Sequence, residues 1–326
     1  MKSHPRVSIL QARLRHCDAD HNQRIFLSAA LGTFLGMSDP STAPAAPRPS
    51  EDALVDAAGV RHRPAGLDPR IVSLVPSITE TLFALGLDQA VVGRTAFCVH
   101  PQGQVKRAKS VGGTKRINRE KLEALAPTHV IVNVDETPRE LAAELAAVGY
   151  GVVVTHPIEI EDNLGLYRLL GGLFGRETEA ETLCRAFVAE AEALSRAAAR
   201  LPERRVLYLI WTDPWMTVSA DTYIARMLAK IRWRTIAGDP AVRYPQVRLD
   251  EALLATADLV LFSTEPFPFA ESHLEAFRAA HPEHAGKAML IDAEMISWYG
   301  SRAVCGLRYL HDLAQRPWAG TGLAPA

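Results

Sequence analysis

The chain has 326 residues, room for two domains of ordinary size, and its 48% hydrophobic and 22% charged composition is that of a folded globular protein rather than a disordered one. Thirty-six basic against 37 acidic residues leave a net charge of −1, and no Lys/Arg-rich run provides an electrostatic footprint for nucleic acid. The cysteines, Cys17, Cys98, Cys184 and Cys305, form no C-x-x-C pair and lie too far apart for a zinc knuckle.

Residues 1–60 differ in character from the rest of the chain. Arg24 precedes an apolar run, 25–37, too short to span a bilayer; a small-residue, Pro-rich stretch with Ala43-Pro44-Ala45 comes after it. These are the parts of an export signal, and they predict a periplasmic protein. The long flank carrying Asp18 and Asp20 is atypical, which leaves an extended tail on a cytoplasmic protein as the alternative. No later segment is long and apolar enough to cross a membrane.

From Pro69 short apolar runs alternate with amphipathic helices, the pattern of α/β layers with largely parallel strands. A first lobe, 61–157, reads as strand 70–75, helix 77–85, strand 90–94, helix 118–125, strand 128–134, helix 138–148 and strand 151–155. Ser77 with Glu80 has the spacing of a capping box, and Gly86 ends that helix. Residues 158–203 are nearly all helix-forming, with a weak point at Gly171-Gly172. The part from Glu177 to Arg200 lacks Gly and Pro and is stopped by Pro202, a rod of about 35 Å. A second lobe, 204–318, repeats the alternation with strands 205–211, 258–263 and 288–291 and helices 221–231, 249–255, 271–280 and 300–313. A short tail, 319–326, ends the chain. Residues 117–132 and 247–262 echo one another at one constant offset, each a helix with an acidic first turn and then a buried strand. The predicted fold is therefore α/β, two Rossmann-like lobes with mostly parallel sheets joined by a single long backbone helix.

In such sheets ligands bind beyond the C-terminal ends of the strands. Those segments contain Ser77, Phe97, His100, Trp215, Phe267, Phe269, Trp298, Tyr299 and Arg302, with Tyr244 in a nearby loop. Aromatic surface supplies buried area, and polar groups such as Arg302 orient a ligand. A single aromatic is more simply core packing, but here most of them lie in loops beside Pro and Gly. Cys98, His100 and His156 form the one metal-like constellation. Cys98 and His100 alternate with Val99 and so share a side of an extended stretch; an inert thiol and a hydrogen-bonded loop histidine are the plainer alternative. Glu265 and Glu294 are further candidate ligands in the second lobe. Cys184 and Cys305, in amphipathic helices, read as small buried hydrophobes.

The run Arg70-Ile-Val-Ser-Leu-Val-Pro-Ser-Ile-Thr-Glu-Thr-Leu-Phe-Ala-Leu-Gly86, with Val91-Val-Gly93, Leu125-Ala-Pro-Thr-His-Val-Ile-Val132 and Tyr244-Pro-Gln-Val247, resembles the helical-backbone periplasmic binding proteins for iron-siderophores, haem and cobalamin, over about residues 55–315. The pattern is nearest the cobalamin-binding branch. The resemblance implies a non-enzymatic receptor that holds cobalamin, or a related corrinoid or metal chelate, in a cleft between the lobes. It implies delivery of that ligand to an ABC permease dimer with its ATPase subunits. It also implies that Glu120 and Asp250, matched in the echoed segments, dock onto the permease. The chain departs from the cobalamin binders at Phe97-Cys98-Val99-His100-Pro101, where they carry aromatics, and at Gly112-Gly113-Thr114, where they carry a Trp; Thr114 then takes that ligand-facing place. Two rival readings are a corrinoid-handling protein uncoupled from transport and a metal-dependent enzyme using Cys98, His100 and His156. No GxSxG, HExxH or P-loop signature supports the enzyme.

Overall fold

The computed structural model describes residues 54–236 and 241–316; the export-type segment expected at 25–47 and the tail 319–326 lie outside them. These residues divide into two compact units, one formed by 54–156 with 164–186, the other by 157–163 with 187–316.

In the first unit, strands β1 (Ile71–Ser73), β2 (Val91–Arg94), β3 (Lys109–Ser110), β4 (His129–Asn133) and β5 (Gly151–Thr155) form a parallel sheet in the order β3-β2-β1-β4-β5. Helices α1 (Pro76–Ala84), α2 (Arg119–Ala124) and α3 (Arg139–Val148) connect them. Val72, Leu74, Val130 and Val132 from the sheet pack with Leu122, Leu141 and Leu145 from the helices, which is why these strands read as apolar runs rather than alternating ones. The capping box at Ser77 and Glu80 does not form. Pro76, whose ring presets a helical φ, is the first helical residue, so the N-cap moves back to Val75, which makes no side-chain cap bond. Gly86, with φ 71°, comes directly after the C-cap Leu85, as expected.

The chain is already packed at Leu54, several residues before the expected start of the lobe at 61. Asp56 is buried. Its Oδ2 accepts from the Val154 N–H at 3.0 Å and lies 3.0 Å from His62 Nε2, while its Oδ1 accepts from the Val60 N–H at 2.9 Å. This strap runs beside β5, where Ala57 N–H donates to the Val154 carbonyl.

The helix-forming stretch becomes α4 (Asp162–Phe174) and the long α5 (Glu177–Ala198). The break falls at Gly175, with φ 65°, and not at Gly171-Gly172. Gly171 instead serves close packing: a Cβ there would stand 2.5 Å from that of Ala180. The 22-residue α5 is the predicted backbone helix, its first part belonging to the first unit and the remainder to the second.

The second unit holds a parallel sheet in the order β7-β6-β8-β9, from β6 (Arg204–Leu209), β7 (Trp233–Thr235), β8 (Leu259–Ser263) and β9 (Ala288–Ile291). Around it lie α6 (Tyr223–Ala229), α7 (Glu251–Thr256), α8 (Glu271–Ala280), α9 (Ala293–Ser297) and α10 (Arg302–Ala314). Strands β3 and β7 and helix α9, each five residues or fewer, add to the elements expected from the sequence. The echo survives in the strands, because β8 begins 130 positions after β4, but α7 begins 132 after α2. Two residues of the loop have moved from one side of the helix to the other.

Candidate functional site

In the first unit the strand-end edge is polar and mostly neutral. Phe97 and Val99 are 62% and 49% exposed, whereas Cys98 and His100 are 1% and 6% exposed, so the alternation places the latter two inward. Two threonine hydroxyls, Thr79 Oγ1 and Thr95 Oγ1, lie 3.1 Å from Cys98 Sγ. Burial pushes the thiol pKa up, and those hydroxyl contacts only partly oppose it. A thiol held this way stays protonated at neutral pH and is a poor nucleophile and metal ligand. His156 Nε2 instead lies 3.6 Å from Asp135. The described residues contain no group of three or more His, Cys, Asp or Glu side chains that could hold a metal. The Cys98, His100 and His156 constellation is therefore not such a group, although Cys98 and His100 are both buried.

Ser77 lies in the first turn of α1, its hydroxyl buried with no partner among the described residues. Thr114 is half-buried in the loop beside Gly113, where an added Cβ would come within 3.4 Å of the Phe97 ring. Cys184 and Cys305 are buried and in no disulfide, and burial pushes the Cys184 thiol up to about 11.

The second unit's edge is acidic and aromatic. Glu265 lies just beyond β8, Asp292 just beyond β9, and Glu294 in the first turn of α9. Arg302, at the start of α10 and 4% exposed, reaches Glu294 Oε2 through Nη1 at 3.1 Å and lies 5.1 Å over the Trp298 ring. Trp298 in turn donates its indole N–H to Glu265 at 3.1 Å. Asp292 caps α9, and its own N–H donates to the Tyr309 hydroxyl at 3.1 Å. Burial, and after it the charge of Glu294, raises the pKa of both Glu265 and Asp292, with Arg302 pulling the other way. Among the described residues, the Arg302 guanidinium pairs with Glu294 and acts on Glu265 and Asp292 as well.

The aromatic side chains expected to act together fall into different environments. Phe269 is 3% exposed and belongs to the core, stacked on half-buried Trp215 at 6.0 Å. Trp298 and Tyr299 are each 8% exposed; Tyr299 meets Tyr223 edge-on at 6.0 Å. The more accessible aromatics of the second unit include Tyr244, beneath Arg243, half-buried Phe267, and Trp211, which packs edge-on against Phe267 at 5.6 Å. Trp211 is not among the ligand contacts expected from the sequence. Its position at the end of an apolar strand run is the signal that marks it.

Glu120 is exposed in the first turn of α2, whose N-cap is Asn118. Asp250 is itself the N-cap of α7, accepting from Leu253 N–H at 3.1 Å and from Arg248 at 2.8 Å. The hydrogen bond from Arg248, and after it that from Leu253, lowers its pKa. The two acids share a sequence offset but not a capping position.

Comparison with known proteins places this geometry. The sequence model of the family described as "Periplasmic binding protein" matches residues 71–285. The chain is 24% identical over 200 residues to a "Vitamin B12-binding protein" of Yersinia pestis, covering 61% of this chain and 71% of that protein. Among solved structures, the periplasmic vitamin B12 binding protein BtuF of Vibrio cholerae superposes with a TM-score of 0.66 at 19% identity, over 76% of this chain and 98% of the other. The periplasmic heme-binding protein RhuT of Roseiflexus sp. RS-1 gives 0.65 at 25% identity, over 76% and 100%. No helix among the described residues is long and apolar enough to cross a membrane. A match spanning most of the chain, on the two-sheet fold that its solved relatives share, makes this protein a member of the periplasmic binding protein family, the non-enzymatic substrate-binding receptors of ABC import.

Proposed function

We propose that this protein captures cobalamin, or a closely related cobalt corrinoid, outside the cytoplasm and delivers it to an ABC permease. The observation that carries the ligand class is the gathering of Glu265, Asp292 and Glu294 with Arg302 at one edge among the described residues. A corrinoid presents neutral amides, whose N–H groups a carboxylate accepts well. Haem presents propionates, which such an edge repels. The accessible aromatics Trp211, Phe267 and Tyr244 offer flat surface suited to a macrocycle. Likeness to vitamin B12-binding proteins supports the same reading.

Haem is the second reading, favoured by the 25% identity to RhuT. Absorbance titration of the purified protein with aquocobalamin, cobinamide, haemin and ferric siderophores separates the two. Saturable binding of the corrinoids and not of haemin is expected, and the reverse preference overturns the ligand assignment. Trp211→Ala and Tyr244→Ala should each weaken corrinoid binding by about 1–3 kcal/mol.

Delivery rests on Glu120 and Asp250 meeting basic pockets on the permease, with Asp250 exchanging Arg248 for its partner. Charge reversal at both positions should leave ligand affinity intact and abolish transport into vesicles carrying the cognate permease, since rim charges govern encounter and register. Full transport by the double variant would reduce both acids to helix-end residues.

A further inference from the structure

A groove of about 1610 Å³ lies in the first unit at the opposite end of the sheet from the strand-end edge. Its walls are the strap from Arg61 to Arg70, which ends where β1 begins, the turn from Gly86 to Ala90, which ends where β2 begins, and the turn between α4 and α5. Among the described residues Arg61, Arg63, Arg70 and Arg176 line it, with Asp68 and Glu177 as the acids. The adjacent His62 is already paired with buried Asp56. An overall charge near zero therefore conceals a local excess of guanidinium groups.

Three of these groups, Arg63, Arg70 and Arg176, have donors that the described residues leave unused. Arg63 has no side-chain partner among the described residues. Arg176 reaches only the Gly86 carbonyl, at 3.5 Å, and its Nε is buried with no acceptor among the described residues. Arg70 donates Nε to the Leu125 carbonyl at 2.8 Å, leaving its terminal N–H groups for another acceptor. A guanidinium has five donors and no acceptor, and Arg63 and Arg70 are exposed with donors to spare, so an oxyanion is the chemistry that completes this set. Phosphate suits it best, because its oxygens match the guanidinium fork and one group can engage two arginines.

We infer that this groove is a second binding site, for phosphate-class oxyanions, independent of the ligand captured at the strand-end edge. A lipid headgroup and a free polyphosphate both carry this chemistry, and the probes distinguish them. The full chain is titrated calorimetrically with inorganic tripolyphosphate and, separately, sedimented with phosphatidylcholine vesicles with and without phosphatidylglycerol. Saturable binding to at least one anionic probe is expected, weakening as salt rises. Binding confined to the phosphatidylglycerol vesicles identifies the headgroup, and binding confined to tripolyphosphate the free anion. The Arg63→Gln/Arg176→Gln variant, checked for an unchanged melting curve, should bind about tenfold more weakly. Arg70→Gln, which spares the α4–α5 turn, is the second variant should that one melt early. Absence of binding to every anionic probe at low salt, or wild-type affinity in a folded variant, overturns the site. Corrinoid binding is unaffected by any of these outcomes.

Discussion

The two units build the same kind of parallel sheet yet finish its C-terminal edge with opposite chemistry. In the first, a thiol is sheltered by two threonine hydroxyls, and Asn133 donates from its side-chain amide to the Thr155 carbonyl at 2.9 Å. In the second, three carboxylates, one guanidinium and an indole are drawn together. Neutral hydrogen bonds cost little to bury once paired, whereas buried charges depend on one another. The second edge should therefore be the more sensitive to substitution and to pH.

The largest effect is expected at Arg302. Arg302→Leu removes the ion pair to Glu294 beside Glu265 and Asp292 and should destabilise the fold by about 3–5 kcal/mol at neutral pH. Urea unfolding should show a smaller loss on acidification, because Glu265 and Asp292, whose pKa values are raised, then take up protons. A loss below about 1 kcal/mol at neutral pH would mean that the acids are solvated and that the edge is not a coupled cluster.

The next effect has opposite signs in the two units. Burial raises the Glu265 pKa, so the folded chain holds that proton more tightly than the unfolded chain, whose value is about 4.3. Its contribution to stability is greatest below the unfolded value and declines as pH rises through the folded one. Glu265→Gln should remove that decline. At Asp56, burial acts upward but is outweighed by hydrogen bonds from His62 and from the Val154 and Val60 N–H groups, so its pKa is lowered. Its contribution is present above the unfolded value of about 3.9 and is lost as pH falls through the folded one. Hydrogen exchange on acidification should therefore show loss of protection at Val60 and Val154, with Asp56→Asn abolishing the pH dependence there. Parallel pH responses at Asp56 and Glu265 would remove the electrostatic distinction.

The smallest effect is expected in the neutral edge. Thr79→Val removes one hydroxyl from Cys98 and should cost about 1 kcal/mol. Thiol titration with a disulfide reagent should leave Cys98 as slow to react as before, because its burial remains. Rapid modification would show that the hydroxyl, and not burial, keeps the thiol inert.

Much of the architecture was legible in the residues. Apolar runs marked β1, β4, β5, β6, β8 and β9 because strands covered on both faces carry little else, and the Gly- and Pro-free stretch marked α5. The run from Arg70 to Gly86 carries the resemblance to the family that the match over residues 71–285 shows. The candidate site was less legible. Phe269 and Phe267 stand two residues apart in one loop, yet one is core and the other half-exposed, a distinction that depends on Trp215 stacking from a different loop.

Local periodicity was enough to dictate the alternation of strands and helices and the long backbone helix. Packing between distant segments decided where the helical stretch breaks, because Gly171 packs against Ala180 while Gly175 takes the left-handed turn. It also decided which polar groups meet. Glu265, Glu294 and Arg302 come from separate elements, and their coupling exists only once β8, α9 and α10 are packed at one edge of the sheet.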